Sequence, residues 1–364
     1  MTDGKLLDAG EACLRKILDS ASGFQLDSSM SGAQVGAQGV DAVWRLRSDS
    51  DEACLLIEAK TNIWPRDVAP VSARLKAAAA ALDADGCVLV APRVTERTRD
   101  LLQRAGVDYI DLRGQVRVVI PGRLLIVAQG AQQAPGAYSP DRNDRIVNPF
   151  RGKASRIVRA LLAEPQRWWG VTELAECVGV SAGLSVKTLK TLERNIYVRR
   201  DQDRRVTLAD GEALLRQWAA VVDSAFRNAG RFVSRLPDPD EVTRRLSSRL
   251  ESLGVRYAVS RLAAARFIEP YAPARVVDIY VDRDPGDLAE PLGLLPVDRG
   301  ETVRLVRPGD EGVFQFCGEY DTVTVVSPVQ LFIDLSNGRG RDPDVAERLF
   351  ENSLRETLVG RGEP

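Results

Sequence analysis

The sequence contains no histidine. That absence removes Ser-His-Asp and Cys-His nucleophilic catalysis, His-ligated zinc and His-dependent nuclease chemistry together, leaving carboxylates, lysine and hydroxyls. Cysteine is scarce: the five residues, at 13, 54, 87, 177 and 317, are odd in number and show no CxxC spacing. Neither a disulfide framework nor a zinc ribbon is supported, and the five are expected as buried small hydrophobes in a reducing compartment. No apolar run approaches the roughly 18 residues of a membrane span. The start, MTDGKLLDAGEACLRK, has acids where a signal peptide has a basic end and an apolar run. A cytoplasmic, nucleoid-associated protein without membrane contact is the expectation. A charge bias is also missing, since 50 Lys+Arg face 51 Asp+Glu for a net charge of -1, so any polyanion-binding surface has to be local.

What is present is an ordinary folded composition, 44% hydrophobic and 28% charged over 364 residues, long enough for two or three domains at about 150 residues each. In residues 1–130 a helical pattern (Leu6, Leu7, Cys13, Leu14, Ile17) precedes the β-rich runs FQL, VDAVWRL and ACLLIEA. An alanine-rich helix from Val71 to Leu82, the strand CVLVAP, a helix from Thr95 and the strands VDYIDL, VRVVI and RLLIVAQ complete an α/β domain. The Pro-, Gly- and Gln-rich stretch 131–148 predicts a linker. Residues 149–230 predict three helices, two short strands and a further helix over Asp210–Phe226. After LPDPDE, residues 231–364 predict an α+β domain with a helix over Glu241–Leu253 and a last one over Pro343–Thr357.

The strongest motif is TELAECVGVSAGLSVKTLKTLE, Thr172 to Glu193. Thr172 can cap a short helix, Ala175 permits close helix crossing, Gly179 makes the turn and Ser181 begins a second helix, which is helix-turn-helix grammar. Val186, Leu189 and Leu192 are expected in the core. Ser181, Ser185, Lys187, Thr188, Lys190, Thr191 and Arg194 are expected to face a major groove. Tyr197-Val-Arg-Arg and Val206-Thr-Leu around a polar turn predict a wing carrying Arg199, Arg200, Arg204 and Arg205. Residues 151–207 hold 12 basic and 6 acidic side chains, a local excess suited to phosphates. Trp168 and Trp169 are expected to fill the core beneath the second helix.

A second constellation joins Asp41 to Glu58 and Lys60 in LLIEAK. Glu58 and Lys60, two apart on a strand, share a face; two carboxylates there can hold Mg²⁺ while the lysine orients or activates water. That is the logic of a PD-(D/E)XK nuclease, with Glu11 on the preceding helix as an additional acid. The residues and the element order resemble the restriction-endonuclease-like fold, with Val40 where the motif has proline.

Taken with LLIEAK, VLVAPRVTERTRDLLQRAGVDYIDLRGQVRV, the winged helix, SRLAAARFIEPYAPARVVDIYV and SPVQLFIDLSNGRG, the chain resembles AbiEi-family antitoxins of type IV toxin-antitoxin systems and related multidomain transcriptional regulators. That resemblance implies a DNA-binding autoregulator encoded beside a nucleotidyltransferase-like toxin. It also implies a nucleotidyltransferase-like fold for 231–364, in which Ser260-Arg261 and Asp278-Ile279-Tyr280 stand where an active enzyme has a glycine turn and a carboxylate pair, so that nucleotidyl transfer is not expected.

The function expected from the sequence is a sequence-specific double-stranded DNA-binding regulator, dimeric to match a palindromic operator and requiring no cofactor to bind. One alternative is a Mg²⁺-dependent endonuclease built on Asp41, Glu58 and Lys60 and targeted by the winged helix. Another is an antitoxin that binds a cognate toxin protein through its C-terminal domain.

Overall fold

A computed structural model describes residues 3–21, 23–31, 40–129 and 147–359. The chain divides into two compact units, Met1–Arg145 and Ile146–Pro364, and the predicted linker lies, up to residue 146, outside the described residues. Each unit packs helices against a seven-stranded mixed sheet, which makes the chain α/β. No described helix is long and apolar enough to cross a membrane.

The first unit opens on α1 (Asp3–Ala21), followed by β1 (Gln25–Ser31), β2 (Ala42–Arg47), β3 (Glu52–Ala59), α2 (Pro65–Leu82), β4 (Gly86–Ala91), α3 (Glu96–Arg104), β5 (Asp108–Asp111), β6 (Gln115–Ile120) and β7 (Leu124–Gln129). The strands lie in the sheet in chain order. β3, β4 and β5 run parallel because α2 and α3 carry the chain back between them; the other neighbours are antiparallel. Leu6, Leu14 and Leu18 of α1 bury against Leu55, Ile57, Val88 and Val90 on one face. On the other face Leu56 and Leu89 meet Val68, Val71 and Leu75 of α2 and Leu102 of α3. β3 is therefore covered on both sides, which is why its sequence is a continuous apolar run rather than an alternating one. Gly10 brings α1 so close to β4 that a Cβ there would lie 2.7 Å from Val90 Cγ1. Helix α2 starts six residues before the predicted Val71, with Pro65 in its first turn and the Trp64 amide donating to Asp67 at 3.1 Å.

In the second unit α4 (Ala154–Ala163), α5 (Val171–Cys177) and α6 (Ala182–Arg194) precede the hairpin β8 (Val198–Arg200) and β9 (Val206–Leu208) and then α7 (Gly211–Val221). The sheet contains β10 (Gly230–Val233), β11 (Tyr257–Ser260), β12 (Val277–Val281), β13 (Leu295–Pro296), β14 (Val303–Val306), β15 (Gly318–Tyr320) and β16 (Val323–Val325), in the order β13-β10-β14-β12-β11-β16-β15. Its helices are α8 (Pro239–Ser252), α9 (Arg261–Ile268), α10 (Pro285–Leu292), α11 (Pro328–Ser336), α12 (Asp342–Leu349) and α13 (Arg355–Val359), the last two joined by a π turn over Phe350–Leu354. One hydrophobic cluster runs from Ile157 of α4 through Trp169, Leu192 and Trp218 to Ile279, Phe332 and Phe350. The helices of 149–230 and the sheet of 231–364 thus share a core, and Arg156 of α4 clamps Asp310 with two hydrogen bonds of 2.8 and 3.0 Å.

Helices α9, α10 and α11 were not anticipated; at eight, eight and nine residues they make too few turns to display a period. The predicted helix over Asp210–Phe226 ends at Val221 and gives way to a 3₁₀ turn at Ala225–Asn228. The cysteine expectation fails for most: Cys87 is buried, Cys13, Cys54 and Cys317 are half-buried, and Cys177, on the outer side of α5, is exposed.

Candidate functional site

Helices α5 and α6 are joined by a tight turn at Gly179, whose φ of +66° is a left-handed value that favours glycine. Helix α5 starts two residues earlier than expected: Gly170 is its N-cap and the Glu173 carboxylate accepts the Gly170 amide at 3.0 Å. Thr172 lies inside the helix, exposed, and is not the cap. Ser181 caps α6, its hydroxyl accepting the Leu184 amide at 3.2 Å, as the sequence indicated.

The outward face of α6 differs from the expected one. Leu189 and Leu192 are buried as predicted, but Val186 is 50% exposed. Ser185, Thr188 and Thr191, predicted to face DNA, are buried. The Ser185 hydroxyl donates to the Val171 carbonyl at 3.3 Å, holding α6 against α5, and Thr191 donates back to the Lys187 carbonyl at 3.1 Å. Thr188 Oγ1 has no hydrogen-bond partner among the described residues. The exposed set is Ser181, Ala182, Gly183, Val186, Lys187 and Lys190; no described residue forms an ion pair with either lysine. Arg194, also predicted to face DNA, is half-buried.

On the hairpin, Arg199 is exposed, its guanidinium 5.5 Å from the centroid of the half-buried Trp168. Trp169 is fully buried, so the two tryptophans divide between core and surface. Arg204 is exposed at the hairpin tip with φ of +61°, a strained conformation for a residue with a Cβ. Arg205 is drawn to Asp201 at 2.8 Å, and Arg200 to Glu193 at 3.2 Å. Much of the basic excess of 151–207 is likewise internal: Arg156 is held by Asp310, Arg167 by Glu164 and Glu173, and Arg159 is buried. Arg151, Lys153, Lys187, Lys190, Arg199 and Arg204 are exposed and form no ion pair among the described residues.

In the first unit Asp41, Glu58 and Lys60 do converge. Asp41 sits in the bend just before β2 rather than in the strand itself, and its Oδ2 accepts the Ala59 amide at 2.8 Å. Burial, reinforced by the charge of Glu58, pushes the Asp41 carboxyl above the usual range. Glu58 on β3 is 1% exposed; its Oε1 lies 2.6 Å from Lys60 Nζ and also receives Arg74 of α2. Glu58 Oε2 is buried without a hydrogen-bond partner among the described residues. Arg74 was not singled out from the sequence, because nothing in its spacing ties it to Glu58. Glu11 does not join the group: α1 covers the opposite face of the sheet from Glu58, and its carboxylate accepts Arg15 at 2.9 Å. No three carboxylate or thiol side chains form a metal-binding group among the described residues. The Asp41 and Glu58 oxygens that remain uncommitted nevertheless suit a Mg²⁺ ion completed by water or phosphate.

In the C-terminal sheet Ser260, Asp278 and Arg304 lie in a row across β11, β12 and β14. Arg304 grips both oxygens of Asp278 at 2.6 and 2.9 Å. Arg261, at the start of α9 with φ of +53°, bonds to Asp342 and stands 4.0 Å from Asp278. Below them Asp334 is fully buried and accepts from Ser260 at 2.7 Å, Tyr280 at 2.9 Å and Gln330 at 2.7 Å. Burial pushes its carboxyl up to about 6. Asp282 Oδ1 is buried with no hydrogen-bond partner among the described residues. Comparison with known protein families, with curated proteins and with solved structures gives no match to this chain.

Proposed function

We propose that this chain is a sequence-specific double-stranded DNA-binding regulator in which α5, α6 and the β8–β9 hairpin act as a winged helix-turn-helix. The observation that carries the reading is the outer face of α6. Its N-terminal end is lined by Ser181, Ala182 and Gly183, small enough for close approach, and Lys187 and Lys190 project beyond them without counter-ions among the described residues. Val186, unexpected on that face, suits contact with a thymine methyl. Arg199 and Arg204 on the hairpin are placed to hold flanking phosphates. On this reading the first unit is a restriction-endonuclease-like scaffold, and the sheet region of the second is a nucleotidyltransferase-like fold without transfer activity, because Asp278 is already neutralised by Arg304. Autorepression as an antitoxin, a cognate toxin partner, a homodimer and a nucleoid-associated location belong to the same proposal. Lys187→Ala/Lys190→Ala should reduce affinity for duplex DNA at least tenfold at about 0.15 M salt; undiminished binding would remove α6 from the interface.

A Mg²⁺-dependent endonuclease is the second reading, favoured by the convergence of Asp41, Glu58 and Lys60 and by the unpartnered Glu58 Oε2. If it holds, Asp41 and Glu58 bind the ion and Lys60 orients the attacking water. Cleavage seen only with Mg²⁺ and abolished by Asp41→Ala would establish it, whereas intact DNA under both conditions leaves these residues as scaffold.

A further inference from the structure

A cleft of about 800 Å³ opens beside the Asp278–Arg304 pair, bounded by the 3₁₀ turn at Ala225–Asn228, the start of α9, β14 and the turn between α11 and α12. Seven arginines line it, against three acids, Asp278, Glu301 and Asp342. Four of the arginines have protein partners: Arg304 and Arg261 hold Asp278 and Asp342, Arg231 donates to the Asp298 carbonyl at 2.9 Å, and Arg227 lies 3.4 Å from Asp223. The remaining three, Arg275, Arg339 and Arg341, are exposed and have neither an ion pair nor a side-chain hydrogen bond among the described residues.

Guanidinium groups stay charged at any physiological pH. Three of them line one concavity with no ion pair among the described residues, and Glu301 on the same lining offsets only one of their charges; an anion of several negative charges relieves the remaining repulsion while filling their fork-shaped donor sets. The volume falls in the range typical of small-ligand sites, about 300–1,000 Å³. One wall is apolar, formed by Phe226, Leu262, Ala272 and Pro273, and offers a surface to a planar or aliphatic group attached to the anion. Asp278, clamped by Arg304, adds no free negative charge to the floor.

We propose that this cleft binds a small anion carrying two or more phosphates, such as a nucleoside polyphosphate, through Arg275, Arg339 and Arg341 and without a metal ion. The proposal does not depend on the DNA-binding reading, because α6 and the hairpin contribute nothing to the cleft lining.

The test is calorimetric titration of the full chain, in EDTA, with inorganic tripolyphosphate and separately with ATP. The expected result is saturable 1:1 binding. Arg275→Ala/Arg339→Ala/Arg341→Ala should weaken it at least tenfold without moving the thermal midpoint, and Lys187→Ala/Lys190→Ala should leave it unchanged. Tighter binding of ATP than of tripolyphosphate assigns the apolar wall to the base, and equal affinities assign recognition to the phosphates alone; both support the site. The proposal is overturned if neither compound binds saturably, if the triple variant binds as the parent does, or if the α6 variant loses binding.

Discussion

Thr188 and Lys187 are neighbours on one helix with opposite surroundings, and substituting each separates the core face of α6 from its outer face. Thr188 is fully buried and its hydroxyl has no hydrogen-bond partner among the described residues. A buried hydroxyl left unpaired costs about 1–3 kcal/mol. Thr188→Val keeps the side-chain shape and removes the polar atom, so it should stabilise the fold by about 1 kcal/mol. For a unit of this size that raises the melting midpoint by about 2–4 °C, readable by tryptophan fluorescence, since Trp168, Trp169 and Trp218 all lie in the second unit. DNA affinity should stay within about twofold, because the residue does not reach the surface. Lys187→Ala should do the reverse, leaving stability within about 0.5 kcal/mol and lowering the slope of log K against log salt by about 0.9, the effect of one lost phosphate contact. If Thr188→Val weakened DNA binding as much as Lys187→Ala, or destabilised the protein, the assigned orientation of α6 would be wrong.

Other substitutions test the packing and the buried charges. Asp334 is neutral more readily in the fold than in the unfolded chain, its pKa standing at about 6 against an ordinary 3.8. Its contribution to stability is therefore full below pH 4, is lost as pH rises to about 6, and amounts to about 3 kcal/mol. Asp334→Asn should flatten the urea-unfolding stability over that window relative to the parent, and an unchanged difference between the two proteins from pH 4 to 7 would refute the assignment. Gly10→Ala should destabilise the first unit by about 1–3 kcal/mol through the clash with Val90, seen as a lowered denaturation midpoint; a neutral effect would mean that α1 can shift. Arg204→Gly relieves a left-handed backbone and should stabilise the hairpin by about 1 kcal/mol while lowering DNA affinity, a pairing of effects that melting and binding assays on the same preparation would expose or contradict.

The strand pattern of the first unit was legible because β3 and β4 are long apolar runs bounded by turns, and Glu58 and Lys60, expected on one face, do meet as an ion pair. Arg74 was hidden, since its meeting with Glu58 comes from the crossover of α2 and not from any local spacing. On α6 the caps and Leu189 and Leu192 were readable, but the register of the buried face was not. A polarity pattern counted Val186 inward and the hydroxyls outward, whereas the close crossing with α5 buries the small side chains Ser185 and Thr188 and turns Val186 to solvent. The assembly of the arginine cleft was not legible for a topological reason: β14 returns beside β12 and places Arg304 against Asp278, 26 residues earlier.

The most direct test of the central claim is a binding titration of the purified full chain in EDTA against the duplex upstream of its own coding sequence and against a scrambled duplex of equal length. The account predicts metal-independent binding of the upstream duplex at least a hundredfold tighter than of the scrambled one. Equal affinity for the two, or no binding to either at about 0.15 M salt, would contradict it.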